Sequence, residues 1–224
     1  MKRRSFREMA VRVVLLLIGL WIAHLGVTLF LQTNLGSDPF NVFVQGLFRA
    51  IPWPEWAGMT HGRVHLLVSL LIMVVLLVVD RSYVGIGTVL CMALGGPIID
   101  VYTLWLSPFL NETLLLAVRV PMLAVGCVIL AFGMTIVIRS QAGTGPNDLV
   151  AVVLSDKSGK PFGPVRIGVD LTFALVGFAL GGVVGIGTII CAFLVGPAAQ
   201  LFFPVSEKIC VCVLNQFAGV NSRS

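Results

Sequence analysis

The chain carries two copies of one hydrophobic unit, and glycine and proline break each copy at the same place. LGSDPFNVF at 35–43 is matched by AGTGPNDLV at 142–150, so Gly36 falls on Gly143 and Pro39 on Pro146. VGIGT at 84–88 recurs unchanged at 184–188, and each copy is followed by a Gly-Pro pair, Gly96-Pro97 and Gly196-Pro197. Cys91 and Cys191 also fall in register. A duplicated apolar unit with matched breaks predicts a two-fold membrane protein whose site lies between the copies.

Composition supports a membrane environment. With 58% hydrophobic and 11% charged residues, the chain is too apolar for a soluble domain of this length. Long runs with few or no charges cover 13–31, 66–79, 85–106, 120–138 and 171–203. A span takes about 20 helical residues, so the last run must turn near Gly181-Gly182 and hold parts of two helices. Six spanning helices are predicted. The basic start, Lys2, Arg3, Arg4, Arg7 and Arg12, resembles a signal peptide, but no small-x-small cleavage site follows it. It is read as a retained first helix.

Charge position carries more information than the net charge of +5. Five of the 15 Lys and Arg lie in the first twelve residues, and others collect at Lys157, Lys160, Arg166, Lys208 and Arg223. Basic residues at helix ends report topology, which places both termini on the cytoplasmic side. No polar domain exists to carry a nucleic-acid patch, so nucleic acid is not an expected partner. Cys91, Cys127 and Cys191 sit in apolar runs as small hydrophobes, and Cys210-x-Cys212 lacks further ligands at metal spacing.

Each copy has the same order: a long helix, the break, a short apolar segment, a polar loop and two more helices. The copies divide the chain into 1–110 and 111–208, with 209–224 as a C-terminal tail. The short segments 40–50 and 147–155 would be roughly 15–18 Å long as helices, about half the hydrocarbon thickness. They read as half-helices that enter the membrane and return, where protein or a water-filled cavity satisfies their backbone. The fold class is therefore all-α: a polytopic membrane protein of two tandem repeats, each with three transmembrane helices and a short re-entrant half-helix. Re-entry gives an odd number of spans per copy and inverts one copy relative to the other; full crossing would make them parallel. The loop at 51–62, with Trp53 and Trp56, suits an interface on one side, and the basic loop at 156–164 suits the cytoplasmic side. That contrast favours inversion.

The break loops hold the densest polar content of the apolar body: Asn34, Ser37, Asp38 and Asn41 in one, Gln141, Thr144, Asn147 and Asp148 in the other. A half-helix N-terminus presents unbonded N–H groups and partial positive charge, which favours polar or anionic ligands. Ser37, Asp38 or Thr144 could equally act as caps, and Asp148 could stabilise a helix dipole. Ionisable coupling candidates are Asp100 beyond Gly96-Pro97, Asp170 with Arg166 one turn earlier, and His24 in the first helix. His61 and His65 flank a helix start. No hydrolase, P-loop or zinc-protease signature is present, no His/Asp/Glu set has metal spacing, and no cofactor is implied.

Gly143-Thr144-Gly145-Pro146-Asn147-Asp148, the later V-G-I-G-T and the G-P-x-x-D of Gly96–Asp100 together resemble the YczE/YyaS/YitT-like bacterial integral membrane proteins. The resemblance covers about residues 19–203. It implies a bacterial cytoplasmic-membrane protein and supplies no catalytic residues. The first copy departs from the pattern, with Ser37-Asp38 before its proline and Asn41 where the second copy has Asp148.

The expected function is a small-solute transporter or channel-like permease in the lipid bilayer. Its polar or anionic solute would bind at the two half-helix starts. The alternative is a non-transporting membrane accessory or assembly protein, and a homodimer or a membrane partner fits either. An enzyme is not expected.

Overall fold

The computed structural model describes residues 5–110, 114–160 and 162–218. Lys2, Arg3, Arg4 and Arg223, read above as topology signals, lie outside the described residues. The described chain is helical throughout, without a strand: α1 (Phe6–Thr33), α2 (Pro39–Ala50), α3 (His61–Val79), α4 (Ile86–Leu106), α5 (Leu116–Ser140), α6 (Pro146–Ser158), α7 (Phe162–Ala179) and α8 (Ile186–Ala218). Single 3-10 turns at Glu55–Ala57 and Arg81–Tyr83 shape the loops before α3 and α4.

Among the described residues, five helices (α1, α3, α4, α5 and α8) are long and apolar enough to cross a membrane. Six spans were expected. The remaining long helix, α7, has 18 residues and carries Arg166 and Asp170 in its first half. The run 171–203 breaks where glycine was expected to break it, with Gly181 at φ +90°. The segment read as a tail from residue 209 begins inside α8, where Cys210 and Leu214 pack on Leu15 and Ile136.

The central contact is α1 against α5, and the two run antiparallel. Gly19 meets Gly133 and Gly26 meets Gly126, so the pairing order reverses along the helices. A Cβ on Gly26 would lie 2.5 Å from the Gly126 carbonyl oxygen. Backbones approach this closely only over small residues. Both ends of the pair are closed by arginine. Arg12, on the first turns of α1, is 8% exposed and donates to the Ser140 carbonyl at 3.0 Å, at the end of α5. Arg119, on the first turn of α5, donates through Nε to the Thr33 carbonyl at 2.8 Å, at the end of α1. Cations suit the unbonded carbonyls and negative dipole of a helix C-terminus. Arg12, read from the sequence as a topology signal, is thus a structural clamp.

The break loops dock crosswise. The Leu35 carbonyl accepts from Gly187 N–H at 2.8 Å, and the Ala142 carbonyl accepts from Gly87 N–H at 3.1 Å. Each break therefore rests on the VGIGT segment of the other half of the chain. The two loops share a backbone path: Asn34 and Gln141 end their helices left-handed at φ 47° and 54°, and Gly36 and Gly143 follow at +117° and +151°. That φ range needs glycine, and a Cβ at either position would also meet Thr188 or Thr88 within 3 Å.

Proline then opens the short helices α2 and α6, as expected at a first turn. With 12 and 13 residues, each is about 18–20 Å long. α2 packs on α3 and α7 through Phe40, Val44, Val64, Val68 and Phe173. α6 packs on α3 through Leu76, Leu149 and Val153. At one end, Arg49 of α2 donates to the Gly181 carbonyl at 3.1 Å. At the end of α3, Tyr83 donates its hydroxyl to Asp156 at 2.8 Å, and Lys157 lies 3.9 Å from Asp80. The Ser82 N–H holds the Asp80 carboxyl below its ordinary pKa.

Candidate functional site

α1, α5 and the two short helices, with α3, α4, α7 and α8, line a partly open cavity of about 570 Å³. Its apolar walls come from Leu20, Ala23 and Val27 of α1 and from Leu130, Met134 and Val137 of α5. Its polar side chains come from α1, α2, α3, α6, α7 and α8 and from Asp38, the cap before α2.

The start of α2 contributes a compact acid–amide pair. Asp38 caps the helix, accepting from Asn41 N–H at 3.2 Å, and the Asn41 amide donates to the other carboxylate oxygen at 2.8 Å. Ser37 Oγ adds a third bond at 3.3 Å. His61 Nε2 lies 3.2 Å from Asn41 Oδ1, which can only accept, so that nitrogen carries the proton. On the other side, Arg166 forks between two carboxylates: Nη1 donates to Asp148 at 2.7 Å and Nε to Asp170 at 2.9 Å. Asn147 donates to Asp148 at 3.3 Å.

Two imidazoles complete the lining. His24 Nδ1 donates to the Leu20 carbonyl at 2.9 Å, which leaves Nε2 as its acceptor in the neutral ring. His65 stands edge-on to His24 at 5.9 Å and to Phe40 at 5.2 Å between ring centroids. It is 8% exposed, and its Nδ1 has no hydrogen-bond partner among the described residues.

The predicted residues divide cleanly. Asp38, Asn41, Asn147, Asp148, Arg166, Asp170 and His24 all line the cavity. Asn34, Ser37, Gln141, Thr144 and Asp100 do not. Asn34 and Gln141 end helices and accept from Arg49 and Arg12. Asp100 holds the start of α3, accepting from Thr60 Oγ1 at 2.6 Å and Gly62 N–H at 3.0 Å. The Arg166–Asp170 pair was legible at helical spacing; its second bond, to Asp148, depends on α6 packing against α7. His65 and Ser69 were missed. For His65 the available signal was an ionisable side chain at the edge of an apolar run, which is a functional candidate by default; Ser69 carries no such signal.

Of the two readings of the break loops, polar or anionic ligand site and helix cap, the capping one is seen at Asp38. Asp38 already accepts a first-turn N–H of α2, and Asp148 occupies the first turn of α6. The positive helix ends face carboxylates of the chain itself, and three carboxylates share the lining with one guanidinium.

A family model described as a family of unknown function, DUF6198, matches residues 10–204. The chain belongs to that family. It is 28% identical over 204 residues to the uncharacterized membrane protein YczE of Bacillus subtilis, covering 91% of this chain and 90% of that one. It is 26% identical to the uncharacterized protein YyaS of the same organism, over 85% and 92% of the two chains. An uncharacterized Haemophilus influenzae protein is 28% identical over 87% and 84%. No solved structure matches the chain. Together with the five apolar helices, these relatives support a location in the membrane.

Proposed function

We propose that this protein is a small-solute permease of two inverted repeats, with its solute site in the cavity at the starts of α2 and α6. The observation that carries the reading is the cavity itself. It joins ionisable groups from both halves inside an apolar helical body, where burying such groups is costly without a purpose. An accessory protein would need no such chamber.

Three features support the inverted arrangement. The first helices of the two copies, α1 and α5, run antiparallel and are clamped reciprocally by Arg12 and Arg119. The break loops dock reciprocally on the two VGIGT segments. α2 and α6 are too short to cross the hydrocarbon as straight helices, which favours re-entry. In this reading α7 is the sixth span, three to each repeat, and both termini are cytoplasmic.

Cysteine mapping tests the topology. In a background with the exposed Cys212 replaced by serine, Trp56→Cys should react with an impermeant maleimide from outside intact cells, and Lys160→Cys only after permeabilisation. Labelling of both from one side would reject inversion.

Transport is tested in proteoliposomes with electrophysiology on a solid-supported membrane across a panel of small solutes. Asp148→Asn and Asn41→Ala should each lower the flux of any transported solute at least about tenfold, as loss of a charged or buried polar contact implies. Unchanged flux in both variants would remove these loops from the mechanism.

A further inference from the structure

We infer that the solute is a small organic cation bearing N–H donors, of the alkylammonium or guanidinium class; this rests on the reading of the cavity as a solute site. Charge balance gives the first argument. Arg166 is committed to Asp148 and Asp170 by its two short bonds. Asp38 forms no ion pair among the described residues, and its bonds come from neutral donors on Ser37 and Asn41. A carboxylate in an apolar chamber is costly without a counter-charge. A cationic solute supplies one, whereas an anion would meet a lining with two more carboxylates than guanidinium groups.

His65 gives an independent argument. His65 lines the cavity, its buried Nδ1 has no partner among the described residues, and its ring lies edge-on to Phe40, two residues along the chain from Asp38. A buried polar atom left unpaired costs free energy that a ligand can recover. A rotation of the neutral ring toward the cavity would let Nδ1 accept an N–H of a cation held at Asp38, and Phe40 offers an aromatic ring beside it.

Size excludes a bare metal ion. Such ions take about six close ligands, mostly oxygens, and no group of three or more His, Cys, Asp or Glu suited to a metal occurs among the described residues. A chamber of about 570 Å³ walled by Leu20, Val27, Leu130 and Met134 fits a cation with an apolar body.

The test is calorimetric binding to the purified full-length protein in detergent, using guanidinium, ethylammonium, tetramethylammonium and acetate. Guanidinium or ethylammonium should bind saturably, and tetramethylammonium, which has no N–H, more weakly. Asp38→Asn keeps a helix cap while removing the charge and should weaken binding roughly 10- to 100-fold. His65→Phe should weaken it less, with size-exclusion profiles confirming that both variants fold. Binding of acetate in preference to the cations, or undiminished cation binding by Asp38→Asn, would overturn the inference. Asp38-dependent binding without flux in proteoliposomes would support the ligand class and defeat the permease reading. Flux of a neutral or anionic solute without cation binding would do the reverse.

Discussion

A Gly133→Val variant is expected to lose the folded protein, whereas Gly168→Ala should be neutral or mildly stabilising. A Cβ on Gly133 would sit 2.3 Å from the Ala23 nitrogen, 2.6 Å from the Gly19 carbonyl oxygen and 2.7 Å from the Ala23 Cα. All three neighbours are backbone atoms, so no side chain can rotate away. The clash falls on the central α1–α5 contact, and relief requires the two helices to separate. Separation would also pull Arg12 and Arg119 from the helix ends they close. Overpacking usually costs about 1–3 kcal/mol, occasionally more, and this site belongs at or above the upper end. Gly168 has nothing within 4 Å of its would-be Cβ, so alanine there gains roughly 0.5–1 kcal/mol of helix preference. Thermal unfolding followed by size exclusion separates the two. A monodisperse Gly133→Val protein with unchanged melting would mean that α1 and α5 are not in this tight contact.

The parts of this fold that were legible are those written in local chemistry. Apolar runs located the long helices, and the glycine at 181 located the turn between α7 and α8. Gly36-x-x-Pro39 and Gly143-x-x-Pro146 located the breaks, because left-handed backbone followed by a first-turn proline leaves a local mark. What stayed hidden depends on which helices meet. Nothing local says that the loop after α1 rests on the VGIGT of the second half, or that Arg119 closes α1. The glycines at 19, 26, 126 and 133 are visible as letters, yet their pairing exists only once α1 and α5 cross. The site followed the same rule. Asp38 and Asp148 stood out as acids beside helix-opening prolines, while His65 resembled any residue near a helix start until α1 placed His24 beside it.

Arg166→Gln is expected to stop transport and to destabilise the protein moderately. It leaves Asp148 and Asp170 facing each other without their shared guanidinium. Breaking a fully buried ion pair costs about 3–5 kcal/mol, but these side chains are 31% and 30% exposed. Solvent screening lowers the expected loss to roughly 1–2 kcal/mol. Arg166→Lys should recover part of the stability and little of the flux, because an ammonium cannot reproduce the planar fork that holds two carboxylates at 2.7 and 2.9 Å. The double variant Arg166→Gln with Asp170→Asn separates structure from mechanism. It removes one charge of each sign and leaves the balance of the lining unchanged, so melting should return to within about 1 kcal/mol of the parent. If flux returns with it, Arg166 serves only to neutralise its neighbours. If flux stays low, the guanidinium has a task that charge balance cannot replace: it ties Asp148 at the start of α6 to α7, beside the proposed solute site.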